Sequence, residues 1–151
     1  MPHPKTLLLF NYDWDALGAD RLRKQWPSVV SGFDLFTFPS NARLAWFDTE
    51  RFVAKAALLA KLHGAKAVAS SHEQFGALCA ALLAEKMGWP GTPVNAILAC
   101  QHKLHAHEVL QQVAPEANLP FARLNAAYGG PVPQGIEYPQ FVKPVKAAFS
   151  V

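Results

Sequence analysis

The sequence predicts an α/β protein built on a parallel β-sheet, and two observations carry this prediction. In the amino-terminal part of the chain, short apolar runs alternate with longer segments whose apolar positions repeat every three to four residues. Such alternation of strands and helices is typical of a parallel sheet covered by helices. The chain has 151 residues, of which 51% are hydrophobic and 17% charged. This composition suits one packed domain, or one domain and the start of another.

Two strands and a short helix are expected first. The continuous apolar run in 5–13, KTLLLFNYD, is typical of a strand buried on both faces. A short helix is predicted over 18–26, with Asp20 as a plausible cap. The aromatic-rich segment 33–40, FDLFTFPS, is predicted to form the second strand.

Two stronger helices flank a third strand. The first is predicted over 48–65, where Asp48 or Thr49 can cap its start and a glycine closes its end. A brief strand follows at 66–71, and a helix with one apolar face at 72–91. The order strand, helix, strand, helix, strand, helix fits a Rossmann-like sheet.

Polar residues follow the first and third predicted strands. Ligands of open parallel sheets lie beyond the carboxyl ends of the strands, so Asn11, Asp13, Ser71 and Glu73 are candidate substrate-binding residues. Each pair has an alternative role. Asn11 and Asp13 could simply turn the chain. Ser71 could cap the helix whose first turn contains Glu73.

Several other classes of function are disfavoured. The first turn, NYDWDALGAD, has one glycine instead of the G-x-G-x-x-G pattern of a dinucleotide site. The G-x-S-x-G elbow of α/β-hydrolases is missing. A receiver domain would carry an aspartate after the third strand, where this sequence has serines. No two of His102, His105 and His107 are four residues apart and no further donors complete a set, so no metal site is expected.

Charge and cysteine content narrow the partners and the compartment. The net charge is +3 and the basic residues are scattered, so no nucleic-acid groove is expected. Cys79 and Cys100 fall in helical patterns and are expected to be small buried hydrophobes of a reducing compartment. No apolar run suits a signal peptide or a membrane span. A soluble cytoplasmic protein without a membrane partner is therefore expected.

Two lysines occupy positions where apolar residues are expected. In a helix over 95–113, Lys103 falls on the apolar side of the wheel, towards Leu110. A buried ammonium is costly, so this lysine should snorkel to water or point into a cleft. Beyond that helix, the sequence predicts a strand at 118–125, a loop rich in Gly and Pro at 126–140, and a final strand that begins at 141. In the final strand, Lys143 shares a face with apolar neighbours, and Pro144 favours an edge position.

The carboxyl-terminal half carries the patterns of a known family. NAILACQHK and VLQ are followed by LPF and then by YPQFVKPV, behind a Rossmann-like unit. This order resembles the start of an ATP-grasp ligase, whose preATP-grasp domain is Rossmann-like, with Lys103, Pro120 and Lys143 at the corresponding positions. His102 stands where the family usually has an acid, and KAAFSV stands where the family often has a glycine-rich mobile loop.

The resemblance implies a mechanism and a set of ligands. Such ligases use ATP to phosphorylate a carboxylate, and an amine or a thiol then attacks the acylphosphate. Lys103 and Lys143 are expected to contact the phosphates of ATP, with Lys143 also near the adenine. The loop that contains Ser150, the only hydroxyl in view there, would offer backbone N–H groups to phosphate. Magnesium is expected as a cofactor with its ligands outside this chain, and a homodimer is a further expectation.

The resemblance also implies a division of the chain. Residues 1–92 would form the preATP-grasp domain, and residues 93–151 would begin the ATP-binding domain. The adenine hinge and the magnesium ligands of the family lie further downstream, so the chain is expected to be an amino-terminal portion that does not catalyse alone. The alternative is a non-catalytic Rossmann-like ligand-binding or interaction module whose lysines serve solubility. The reading frame beyond Val151 would discriminate between the two.

Overall fold

A computed structural model gives the fold of most of the chain. For residues 13–16 it describes the backbone but not the side chains. The chain divides into two compact units, Met1–Ile97 and Leu98–Val151. The described residues are 4–10, 12–35, 37–124, 130–131 and 139–145.

The first unit contains a three-stranded parallel sheet. Strand β1, Thr6–Leu9, lies in the middle of the sheet and is buried at all four positions. Strand β2, Ser28–Ser31, pairs with it on one side and strand β3, Ala67–Ala69, on the other. The predicted parallel sheet with flanking helices is therefore confirmed.

Five α-helices are formed by the described residues. They are α1 Asp13–Arg21, α2 Thr49–His63, α3 Phe75–Met87, α4 Val94–Gln101 and α5 Lys103–Val113. Short 3-10 helices cover Ser40–Trp46 and Pro115–Ala117. None of the helices in the described ranges is long and apolar enough to cross a membrane.

Helix α2 follows its local sequence signals closely. The Asp48 carboxylate caps it by accepting a hydrogen bond from the Arg51 N–H at 2.9 Å. Gly64 ends it in the left-handed conformation, with φ at 65°. Asp48 rather than Thr49 is thus the cap of this helix.

The second strand lies earlier in the chain than the sequence predicted. Residues 33–40 form no strand at the described positions, whereas Ser28–Ser31 do. The Asp34 carboxylate accepts hydrogen bonds from the backbone N–H and the hydroxyl of Thr37, at 3.2 and 2.7 Å, and this local turn replaces extended pairing. Phe33 and Leu35 of this segment contribute to the core from a loop, whereas Phe38 is 79% exposed.

Helix α1 also differs from its prediction, because it begins at Asp13 instead of near residue 18. The chain leaves β1 through Phe10, whose φ is 52°, and enters the helix within three residues. The first predicted strand, 5–13, is shortened to four residues by this turn.

The core of the first unit centres on Phe10, which is 2% exposed. Its ring centroid lies 4.5 to 5.7 Å from those of four other aromatic side chains, Phe33, Phe47, Phe52 and Phe75. Cys79 is fully buried in the same core, and its burial raises the pKa of the thiol to about 12. Cys100 is exposed, so the expectation of two buried cysteines is correct for Cys79 and wrong for Cys100.

The second unit lacks the two predicted strands at its described positions. Residues 118–124 and 141–145 have no strand pairing. Pro120 and Pro144 carry no N–H to donate to a ladder. Most of the predicted loop 126–140 lies outside the described residues.

Candidate functional site

The helix predicted over 95–113 is broken at His102. Helix α4 ends at Gln101 and α5 begins at Lys103, while His102 has an extended backbone with φ −102° and ψ 97°. Lys103 is therefore the first residue of a helix and not a residue on the apolar face of a longer one. The helical-wheel argument for this lysine was wrong because it assumed an uninterrupted helix.

His102 caps the start of α5 with its side chain. Its Nδ1 accepts a hydrogen bond from the His105 N–H at 3.1 Å, which satisfies one of the unpaired donors of the first turn. Ser, Thr, Asp and Asn are the usual caps, so a helix start at this imidazole was not predictable from the residue type.

The two lysine-bearing segments meet through the backbone. The Lys103 N–H donates to the carbonyl oxygen of Val145 at 3.2 Å. The Lys143 Nζ lies 5.0 Å from the centroid of the Phe141 ring, in a cation–π arrangement. Lys103 is half-buried and Lys143 is exposed. The structure thus brings the segment around Lys143 against the start of α5.

The electrostatics at the start of α5 favour an anion. A helix amino terminus carries a partial positive charge, and this dipole acts on an anion even though the Lys103 and His105 N–H groups are already bonded to Val145 and His102. The first turn, which the structure describes in full, contains no acidic residue, while Lys103 adds a cation. Glu108 lies one turn further on, 3.5 Å from the imidazole of His105.

Three predicted site residues lie wholly or partly outside the described part of the chain. Asn11 and Ser150 lie outside the described residues. Asp13 is the first residue of α1, and its side chain is not described.

The carboxyl edge of the sheet in the first unit is a separate candidate site. Because β3 lies on the opposite side of β1 from β2, the chain reverses its winding between β1 and β3, which is where ligands bind in open α/β sheets. The Ser70 hydroxyl donates to the Leu9 carbonyl oxygen at 2.6 Å and joins the two strand ends. Ser71 and Glu73 follow directly and are exposed, so both candidate residues lie at this edge.

A buried histidine, His72, lies between the end of β3 and the start of α3. His72 is 7% exposed, and its Nδ1 accepts a hydrogen bond from the Gly76 N–H at 3.3 Å. Burial lowers the pKa of His72, although the nearby Glu73 carboxylate acts in the opposite direction. The predicted start of this helix at 72 was early, since α3 begins at Phe75 with Gln74 as its cap.

A side-chain network in the second unit was not predicted. Nδ1 of His107 lies 2.6 Å from Oδ1 of Asn118, and the Asn118 amide donates to the His107 carbonyl oxygen at 2.9 Å. The imidazole stacks on Phe121, with ring centroids 5.1 Å apart. This histidine therefore ties α5 to the segment after it. No three His, Cys, Asp or Glu side chains among the described residues form a group that could hold a metal ion.

A groove of about 390 Å³ lies at the other end of the sheet. It is lined near the starts of β1 and β2 by Lys5, Ala19, Asp20, Arg23, Pro27, Ser28, Val29 and Val30. Arg23 forms an ion pair with Asp20 at 2.5 Å on its rim. Because parallel sheets bind ligands at their carboxyl ends, this groove is not part of the candidate site.

Comparisons with known proteins add no family assignment. No protein-family model matches the chain, and no curated protein is similar enough to it to count as a match.

Proposed function

We propose that the chain forms part of an ATP-dependent ligase that joins a carboxylate to an amine or a thiol through an acylphosphate. In this proposal Lys103 and Lys143 contact the triphosphate of ATP. The observation that carries it is the hydrogen bond from the Lys103 N–H to the Val145 carbonyl oxygen, 3.2 Å long. This bond holds the segment of Lys143 against the start of a helix that also carries Lys103.

The chemistry of phosphoryl transfer explains why two lysines would be placed there. Such transfer depends mainly on positioning and on neutralising charge, and the lysine ammonium is a compact charge for phosphate oxygens. A helix amino terminus without acidic residues adds a favourable dipole for the same anion. Each charge-assisted contact is worth about 1.5–3 kcal/mol.

The carboxyl edge of the sheet supports a place for the carboxylate or amine substrate. Ser71 and Glu73 are exposed there, beside the ends of β1 and β3. Asn11 and Asp13 complete the proposed set because they follow β1 in the sequence. A cytoplasmic location belongs to the proposal, and the free thiols of Cys79 and Cys100 are consistent with it.

The test is a titration of the complete gene product with Mg–ATP, in which calorimetry measures the binding affinity. We expect Lys103→Ala and Lys143→Ala each to weaken binding by roughly tenfold or more, since each removes one charge-assisted contact. Lys55→Ala is the matched control, because Lys55 is an exposed lysine in the middle of α2. It should leave the affinity unchanged.

Two outcomes would contradict the proposal. Unchanged affinity in both lysine variants would reject these residues as phosphate contacts. Absence of any Mg–ATP binding by the complete gene product would favour a non-catalytic Rossmann-like ligand-binding or interaction module instead.

A further inference from the structure

We infer that His102 is a positioning residue for Lys103, because its imidazole fixes the point at which α5 begins. The effect that we expect on ATP binding, through placement of the Lys103 ammonium towards ATP, rests on the proposed function. The role of the His102 imidazole in fixing the start of α5 does not depend on ATP and can be tested alone.

Three hydrogen bonds fix the conformation of His102 between the two helices. Its N–H donates to the Leu98 carbonyl oxygen at 3.2 Å and so completes α4. Its own carbonyl oxygen accepts from the Ala106 N–H at 2.9 Å, and its Nδ1 accepts from the His105 N–H at 3.1 Å. One residue therefore ends the first helix and starts the second.

The position of Lys103 depends directly on this junction. Lys103 is the first helical residue after the cap, and its N–H is directed to the Val145 carbonyl oxygen. If the imidazole acceptor is removed, the first turn of α5 loses the partner of its third N–H group and frays. The Lys103 backbone then leaves its helical conformation, and its bond to Val145 weakens with it.

The cap requires one form of the imidazole. Nδ1 can accept a hydrogen bond only when it carries no proton, so the capping ring is neutral with its proton on Nε2. A protonated ring would lose the acceptor and place a positive charge at the positive end of the helix dipole.

Charged and titratable side chains lie on α5 itself and on the segment that carries Val145. The His105 ring centroid lies 6.4 Å from that of His102, and the Glu108 carboxylate is 3.5 Å from His105 Nδ1. Lys103 follows directly, and Lys143 is two residues before the Val145 acceptor. The carboxylate is adjacent to His105 and not to the His102 nitrogen that forms the cap.

The structural test uses His102→Ala and His102→Asn. Asparagine restores a side-chain acceptor at a helix cap, whereas alanine does not. Amide hydrogen exchange should be faster at Lys103 and His105 in the alanine variant, by about fivefold, and near the wild-type rate in the asparagine variant. The ¹⁵N spectrum of the wild-type imidazole at neutral pH should show the proton on Nε2. Unchanged exchange at both amides in His102→Ala, or a proton on Nδ1, would overturn the inference.

The functional test is a double-mutant cycle on Mg–ATP affinity in the complete gene product. His102→Ala alone should weaken binding by about fivefold, with recovery to within about twofold in His102→Asn. Added to Lys103→Ala, the His102→Ala change should have no further effect, because it acts through Lys103. An equal further loss in that background would overturn the positioning role. If the wild type fails to bind Mg–ATP, the proposed function is rejected, and the exchange experiment alone decides whether His102 places Lys103.

Discussion

His72 brings a titratable group into the interior at the carboxyl edge of the sheet. Its Nδ1 accepts the Gly76 N–H, which requires the neutral ring, and its burial lowers the pKa below the ordinary value of 6.5. Above the pKa of the unfolded chain both states are neutral, and the fold has its full stability. As the pH falls from about 6.5 towards the lower pKa of the folded state, the unfolded chain takes up a proton first, so stability decreases.

We expect this decrease to disappear in His72→Gln. Glutamine offers an acceptor to the Gly76 N–H but does not titrate. The free energy of unfolding, measured with urea at about pH 7.5 and about pH 5.5 on either side of the imidazole range, should fall more in the wild type than in this variant. His63→Gln is the control, because His63 is exposed in the last turn of α2. An equal fall in wild type and His72→Gln would contradict the assignment.

At the scale of elements, helix α3 approaches the end of β3 closely at Gly76. A Cβ atom at this position would overlap the Ser70 hydroxyl and come within 2.9 Å of the His72 Cβ. The same hydroxyl donates to the Leu9 carbonyl oxygen, so it cannot move without loss of the link between β3 and β1. The glycine is therefore required by packing and not by its backbone angles.

We expect Gly76→Ala to destabilise the protein by about 1–3 kcal/mol, the usual cost of overpacking. Gly18→Ala is the matched control, since no atom lies within 4 Å of the added Cβ and the residue is inside α1. That change should stabilise by about 0.5–1 kcal/mol through helix propensity. Thermal unfolding of the two variants measures the difference, and a neutral or stabilising Gly76→Ala would show that α3 can shift away from β3.

The elements that the sequence predicted well depend on local signals, and those that it missed depend on contacts between distant residues. Helix α2 has its cap at Asp48 and its terminal glycine within its own sequence. The misplaced second strand contains Phe33, which contributes to the core from a loop and packs on Phe10, a residue distant in the sequence. The break at His102 uses a residue type that rarely caps helices.

At the scale of the molecule, alternation of strands and helices was enough to predict a parallel sheet, but not which residues meet. In the candidate sites too, the sequence predicted the position along the fold but not the contacts between distant residues. Ser71 and Glu73 were located correctly at the carboxyl edge, because strand ends share an edge in any parallel sheet. The hydrogen bond between the Lys103 N–H and the Val145 carbonyl oxygen joins residues that are far apart in the sequence, and no periodic pattern in the sequence could have predicted it.

The first unit should unfold as one cooperative body around Phe10. We expect Phe10→Ala to reduce its stability by about 3–5 kcal/mol, because the change removes a ring that packs on four others and leaves a cavity. Trp46→Ala is the control for loss of a large aromatic side chain, since Trp46 is 83% exposed. Calorimetry gives both values, and similar melting temperatures for the two variants would show that the aromatic cluster is not central to the core.

Because Cys79 is buried and Cys100 is exposed, the protein has one cysteine that a thiol reagent can reach. The Cys79 thiol is fully enclosed, and its pKa of about 12 keeps it in the unreactive protonated form. Cys100 is exposed at the end of α4, two residues before the junction with α5. A maleimide dye added to the native protein should therefore attach beside that junction without any engineering of the chain, and its fluorescence would report directly on events at the start of α5.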